Sequence, residues 1–259
     1  MSDLILVERD GAIATVVLNQ PSKLNALSRA SWRELGARMR ELSLESDVRC
    51  VVLRGSGSSA FGAGADIAEF PEVRADSTQG KAYGELIAST MQAIGDCRHP
   101  TIAMIHGVCV GGGLEVALMC DLRVCGEGSR FGIPINRLGL TMGYGELMGL
   151  LAVVGPTVAL EMLLEGRVFD AREAFDKGLV QRVVADDRVE VEVRATAARM
   201  AAGAPLVARW HKQFIRRLQP QANLSAAEWH EGFACFDTED YHEGLRAFLA
   251  KQPPQFRGR

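Results

Sequence analysis

The 259-residue chain has no Cys-x-x-Cys pair, no basic run and no solid apolar block of membrane-spanning length. Each absence removes a class of protein. Its six cysteines, Cys50, Cys97, Cys109, Cys120, Cys125 and Cys235, sit mostly in apolar runs, where a thiol behaves as a small hydrophobe. That usage predicts a reducing compartment. Net charge is −3 with Lys and Arg scattered, so there is no electrostatic case for a nucleic-acid partner or an anionic membrane. A few cations meeting a small anionic ligand remain compatible with this balance. Residues 1–18 alternate in polarity and carry Asp3, Glu8 and Asp10, unlike a signal peptide. With no run of about 18 uncharged apolar residues, no spanning helix is expected and cytoplasm is the default. No glycine run ends in Gly-Lys-Ser/Thr, and no Gly-x-Ser-x-Gly elbow occurs. His230-Glu231 lacks the second histidine of a zinc helix, and the five histidines have no ligand spacing, so no metal is expected.

What is present is a chain long enough to bury a large core, 47% hydrophobic, as one or two domains. Residues 4–7 and 12–18 flank Asp10-Gly11, a hairpin signal because Asp-Gly accepts positive φ. Residues 19–27 read as a loop. Trp32, Leu35, Met39 and Leu42 recur at helical spacing, with Ser31 and Glu34 placed as a capping box. Residues 48–53 read as a buried strand, 55–64 as a glycine-rich loop, and 83–97 as a helix stopped by Pro100. Residues 101–110 read as one strand, 114–120 as a short helix and 121–125 as another strand. The alternation predicts an α/β architecture. From Pro156 onward the pattern is helical apart from a strand at 179–184. Residues 201–251 hold about three amphipathic helices rich in Trp210, Phe214, Trp229, Phe233, Phe236 and Phe248. Two readings of that tail stand: an oligomer contact, or packing on its own body.

Two places put glycine between a strand and a helix: Gly62-Ala63-Gly64-Ala65-Asp66-Ile67 and Gly111-Gly112-Gly113-Leu114-Glu115. A helix start leaves free N–H groups and the positive end of a dipole. Glycine lets a ligand approach that backbone closely. Such a site suits a carbonyl oxygen that becomes anionic during reaction. A third stretch, residues 55–60, fits the loose dinucleotide pattern Gly-x-Gly-x-x-Gly/Ala, but no helix opens after it.

These residues resemble the enoyl-CoA hydratase/isomerase (crotonase) superfamily over nearly the whole chain. The resemblance is carried by Asn19-Gln20-Pro21 with Asn25-Ala26-Leu27, by Phe61 to Ile67, and by His99-Pro100-Thr101-Ile102-Ala103 through Gly107. It continues through Gly111 to Glu115, Cys120-Asp121-Leu122-Arg123, Phe131-Gly132-Ile133-Pro134, Leu138-Gly139-Leu140, 171–184 and Glu243-Gly244 to Phe248. It implies a spiral of ββα units at 1–200 holding an acyl-CoA site. It also implies a helical region at 201–259 for oligomerisation and CoA contact, assembled as a homotrimer or homohexamer. It implies that Ala65 and Gly112 donate backbone N–H groups to the thioester oxygen. The coenzyme A part of the substrate would meet Ala63, Asp66 and Ile67, with Ala26, Phe248 and the lysines Lys23 and Lys251. Either lysine could equally be an ordinary solvated charge. No separate cofactor is implied. Residues 70–94 would supply pocket walls.

Hydration needs a base for water and an acid for the α-carbon. In the hydratases of this family two glutamates hold the water. Glu115 matches the first, about one turn into the helix that begins at the oxyanion glycine. The position of the second is Ile135, which cannot transfer protons. Glu146 is an extra carboxylate nearby, with Tyr144 beside it; Glu146 could also simply begin a helix at 146–154. The expectation is therefore an enoyl-CoA hydratase-like enzyme. Isomerisation, decarboxylation and a non-catalytic acyl-CoA-binding protein stand as alternatives.

Overall fold

The computed structural model describes residues 4–218, 225–231 and 233–255; the side chain of Trp229 lies outside the described residues. The chain opens with β1 (Ile5–Asp10) and β2 (Ile13–Leu18), an antiparallel pair joined at Gly11, whose φ is +56°. The Asp-Gly signal thus marks the turn. Next comes α1 (Arg29–Leu44), which buries Ser31, Trp32, Leu35, Gly36, Met39 and Leu42 on one face, the helical spacing expected. Its cap differs from expectation. Ser28, in extended backbone, accepts from the Ser31 amide at 3.1 Å. The helix begins a turn before the Ser31–Glu34 pair, so Ser31 is already helical and cannot be the cap.

Three ββα units follow. The first is β3 (Cys50–Gly55), β4 (Ala60–Gly62), then the short α2 (Phe70–Val73) and α3 (Ser77–Gly95). The second is β5 (Thr101–Ile105), β6 (Val108–Val110) and α4 (Gly112–Leu118). The third is β7 (Leu122–Gly126), β8 (Arg130–Gly132) and α5 (Tyr144–Glu165). Each unit gives one strand to a six-stranded sheet, order β1-β2-β3-β5-β7 and a last strand, and one to a four-stranded sheet, order β4-β6-β8 and a last strand. The expected single strand at 101–110 is therefore two strands in different sheets. Gly107 makes the break: its φ is +60°, and a Cβ there would lie 2.0 Å from the Ser59 carbonyl oxygen.

The chain continues through β9 (Phe169–Asp170), α6 (Ala171–Asp176), β10 (Arg182–Val184) and α7 (Val189–Ala202). β10 closes the larger sheet and β9 the smaller. The strand expected at 179–184 is confined to its last three residues. Alternation in β3 and β5 sends Val51, Leu53, Ala103 and Ile105 into the main core. Cys50, Val52, Ile102 and Met104 face α7 through Val189, Val193 and Ala197. α5 has the length and apolarity of a membrane-crossing helix. It is broken at Gly155 (φ 70°) before Pro156, and it buries Leu150, Ala159 and Met162 in the body.

The tail comprises α8 (Pro205–Arg217), α9 (Ala226–Glu231) and α10 (Glu239–Leu249). Packing on its own body is seen for part of it. Phe236, Tyr241 and Leu245 pack on Phe70, Leu138 and Leu140 of the body. α8 instead leaves Leu206, Trp210, Phe214, Ile215 and the following Leu218 exposed. It is tied down by Lys212, whose Nζ lies 2.7 Å from Asp121 and 3.0 Å from the His99 carbonyl oxygen.

Candidate active site

The two glycine turns meet. Gly111 precedes α4 with φ 48° and ψ −129° and donates its amide to the Gly132 carbonyl at 2.9 Å. That backbone swings the next peptide toward the loop after β4. A Cβ on Gly112 would lie 3.4 Å from the Ala65 nitrogen and 2.9 Å from the Trp32 ring. Only glycine lets the backbone segments come this close. The Ala65 loop is held by a bridge to Leu27: the Leu27 amide donates to Gly64 at 2.8 Å and the Asp66 amide to Leu27 at 2.9 Å. The bridge spends the Gly64 carbonyl before Ala65 and the Asp66 amide after it, and leaves the Ala65 amide unspent. Among the described residues no hydrogen bond uses the N–H of Ala65 or Gly112. Both residues line one cavity of about 310 Å³. Two free amides side by side at a helix start form a ready cradle for a negatively charged oxygen.

Glu115, Glu146 and Ile135 line the same cavity. Glu115 sits one turn into α4 and is buried; its amide donates to Gly111 at 2.9 Å. Burial first, and the neighbouring Glu146 second, push its carboxyl up to about 8, against the opposing charge of Arg74. Glu146 is also pushed up by burial, opposed by Arg74 and by the Gly143 amide. That amide donates to the Glu146 carboxylate at the start of α5. Glu146 is therefore both a helix-starting group and a cavity carboxylate. Tyr144 begins α5 but is not among the cavity's walls.

The expected walls are present: Phe70, Gly80, Gly84 and Ile87 from residues 70–94. The residues expected to hold coenzyme A divide. Ala63, Ile67 and Phe248 line the cavity, whereas Lys23, Ala26, Asp66 and Lys251 lie off it. Lys23 is 54% exposed and pairs with Asp66 at 2.6 Å, and that hydrogen bond raises the ammonium's affinity for its proton. Asp66 also accepts from the Ala68 amide at 3.3 Å as a helix cap. Lys251 is exposed just past α10, with φ 54°.

The part played by two arginines escapes sequence reading. Arg74 follows α2 and enters the cavity; it falls within the expected wall residues 70–94, but nothing in the sequence singles it out among them. Arg123, 4% exposed, holds the far end of α4: its side chain donates to the Cys120 carbonyl at 2.6 Å, to Ala117 at 3.3 Å and to Leu179 at 2.8 Å. A cation at that end complements the helix dipole.

The family model for enoyl-CoA hydratase/isomerase matches residues 8–259. A short-chain-enoyl-CoA hydratase of Clostridium acetobutylicum is 32% identical over 96% of this chain and 95% of its own. A solved enoyl-CoA hydratase/carnithine racemase from Magnetospirillum magneticum is 48% identical, covering 100% of this chain and 97% of its own, with a TM-score of 0.83. A solved methylmalonyl-CoA decarboxylase, bound to 2-nitronate-propionyl-CoA, is 27% identical with a TM-score of 0.90 over 99% of both chains.

Proposed function

The chain belongs to the enoyl-CoA hydratase/isomerase family, of crotonase fold, and from that premise we propose that it hydrates a 2-enoyl-CoA thioester through an enolate held by Ala65 and Gly112. The observation that carries this reading is the pair of unspent amides beside a buried carboxylate pair in one cavity. The thioester oxygen accepts both N–H groups, and these bonds strengthen as the oxygen becomes an enolate. Two buried carboxylates that interact share one proton near neutrality. Glu146 accepts an amide hydrogen bond, so it is the better anion. In this reading Glu146 removes a proton from water as the water oxygen bonds to the β-carbon. Electrons of the double bond move onto the thioester oxygen. Glu115, held protonated up to about 8, then delivers its proton to the α-carbon as the enolate collapses. In this reading Glu146, and not Glu115, is the base.

Decarboxylation is the second reading. It is favoured by Ile135 in place of the second family glutamate and by the close likeness to a methylmalonyl-CoA decarboxylase. An enolate cradle serves loss of carbon dioxide as well as addition of water. A panel of 2-enoyl-, 3-enoyl- and malonyl-type CoA thioesters separates the readings. Water addition to a 2-enoyl thioester, seen as loss of its conjugated absorbance, is the expected result. An untouched 2-enoyl substrate together with turnover of a malonyl-type one transfers the site to decarboxylation.

The reading extends to the setting. We propose a homotrimer or homohexamer assembled with the open apolar face of α8, since Trp210, Phe214 and Leu218 otherwise face water. The six free thiols fit the cytoplasm.

A further inference from the structure

We propose that Arg74 makes this cavity a receptor for an acyl thioester whose acyl group carries a carboxylate of its own, which pairs with the guanidinium. The proposal rests on the acyl-CoA reading and adds the substrate class.

The guanidinium carbon of Arg74 lies 4.2 Å from the ring centre of Tyr83, 4.8 Å from that of Phe70 and 5.6 Å from that of Phe236. Ring faces stabilise a cation's charge but leave its in-plane N–H donors unused. Nε of Arg74 is buried and has no hydrogen-bond partner, and among the described residues no carboxylate lies within 4.0 Å of the group. Among the described residues Arg209 likewise has a buried Nε without a partner, though it lies off this cavity, while two other enclosed cations are matched. Arg123 donates to three carbonyls and Lys212 pairs with Asp121. A buried donor left without an acceptor is costly, so an unmatched guanidinium on a cavity wall points to a ligand that completes it.

The cage is built around that cation. A Cβ on Gly80 would lie 2.4 Å from the Phe236 ring, and one on Gly84 would lie 2.3 Å from Phe233. Bare positions on α3 thus let the tail's aromatics close over the cavity. The Tyr241 hydroxyl fixes the backbone beneath, donating to the Arg74 carbonyl at 2.6 Å. Glu115 and Glu146 do not take the ligand's place, because neither carboxylate lies within ion-pairing distance of Arg74, whose charge reaches both only at longer range. Phe70, Ile87 and Leu138 give the remaining wall an apolar character, suited to the carbon chain between thioester and carboxylate. A guanidinium meets a carboxylate with two parallel charge-assisted hydrogen bonds.

Calorimetry with unreactive thioesters tests this apart from turnover. Glutaryl-CoA is compared with valeryl-CoA, succinyl-CoA with butyryl-CoA, and free coenzyme A serves as the third arm. The wild-type chain is expected to bind at least one diacid thioester about tenfold or more tighter than its neutral counterpart, a ratio worth about 1.4 kcal/mol. Arg74→Met should abolish that preference and leave the affinity for free coenzyme A unchanged; Arg74→Lys should restore part of it. A wild-type ratio below tenfold in both pairs overturns the proposal. So does a ratio that survives in Arg74→Met, or a loss of free coenzyme A affinity in that variant, which would place a coenzyme phosphate on Arg74. Diacid selectivity without turnover would leave this inference standing and remove the hydratase reading. Turnover of neutral enoyl thioesters without selectivity would do the reverse.

Discussion

One side of the cavity is made of peptide bonds and the other of side chains. The first is the Ala65 loop against the start of α4, where backbone touches backbone and the functional groups are amides. The second is assembled from Arg74, Ile135, Glu146 and the aromatics of the tail, brought from four separate stretches of chain. The peptide side carries what every enolate reaction of a thioester requires. The side-chain side carries what distinguishes one reaction or acyl group from another. Change on the second side can redirect chemistry without disturbing the cradle that makes it possible.

Four perturbations sharpen or break this division. The largest effect is expected from Glu115→Gln, which bridges the two sides: kcat should fall roughly 10³-fold, the range for loss of a positioned acid or base. A steady-state rate within a few-fold of wild type would take proton transfer away from Glu115. Next is Gly112→Ala. Its added methyl meets the Trp32 ring at 2.9 Å and displaces the amide, so kcat should drop about 100-fold, with thermal unfolding measured alongside to separate misfolding from misplacement. An unaltered rate would show that the peptide side tolerates movement.

The third is pH. With Glu115 as the proton donor, kcat/KM should fall about tenfold per unit above its value of about 8, and Glu115→Gln should lose this limb. A rate that rises through the same range would make Glu115 the base instead. Stability follows the same group. The folded chain keeps the Glu115 proton up to about 8, whereas an unperturbed glutamate releases it near 4.5. The folded state therefore binds more protons across that window, and stability should decline as pH rises through it. The smallest effect is Tyr241→Phe, which removes the hydroxyl beneath Arg74. It should cost about 1 kcal/mol in denaturant unfolding while leaving the amide cradle intact.

The peptide side was readable in the sequence because its requirements are local. A strand, a glycine-rich turn and a helix must be consecutive, so Gly62 to Ile67 and Gly111 to Glu115 announce themselves. The α/β architecture was readable for the same reason, through strands alternating with helices. Divided strands were not: residues 101–110 form one apolar run, and only the positive φ of Gly107 sends its halves to different sheets. The cap of α1 was misplaced because Ser28 and Ser31 are equally good capping residues, and helix start rather than residue type decides between them. Arg74 was covered only as one of the wall residues 70–94, and its unmatched charge was invisible. Its partners, Phe70, Tyr83 and Phe236, span 166 positions from first to last, and an unmatched donor is a property of three-dimensional surroundings.

Arg123 gives α4 a fixed far end, as the backbone contact with the Ala65 loop gives it a fixed near one. A seven-residue helix clamped this way has little freedom to slide or tilt. The Gly112 dipole is then aimed during folding, before any substrate arrives. In the proposed reaction, solvent around a nascent enolate would have to reorient and this peptide would not, so the reorganisation free energy of charge development would be met in the biosynthesis of the fold and not at each turnover.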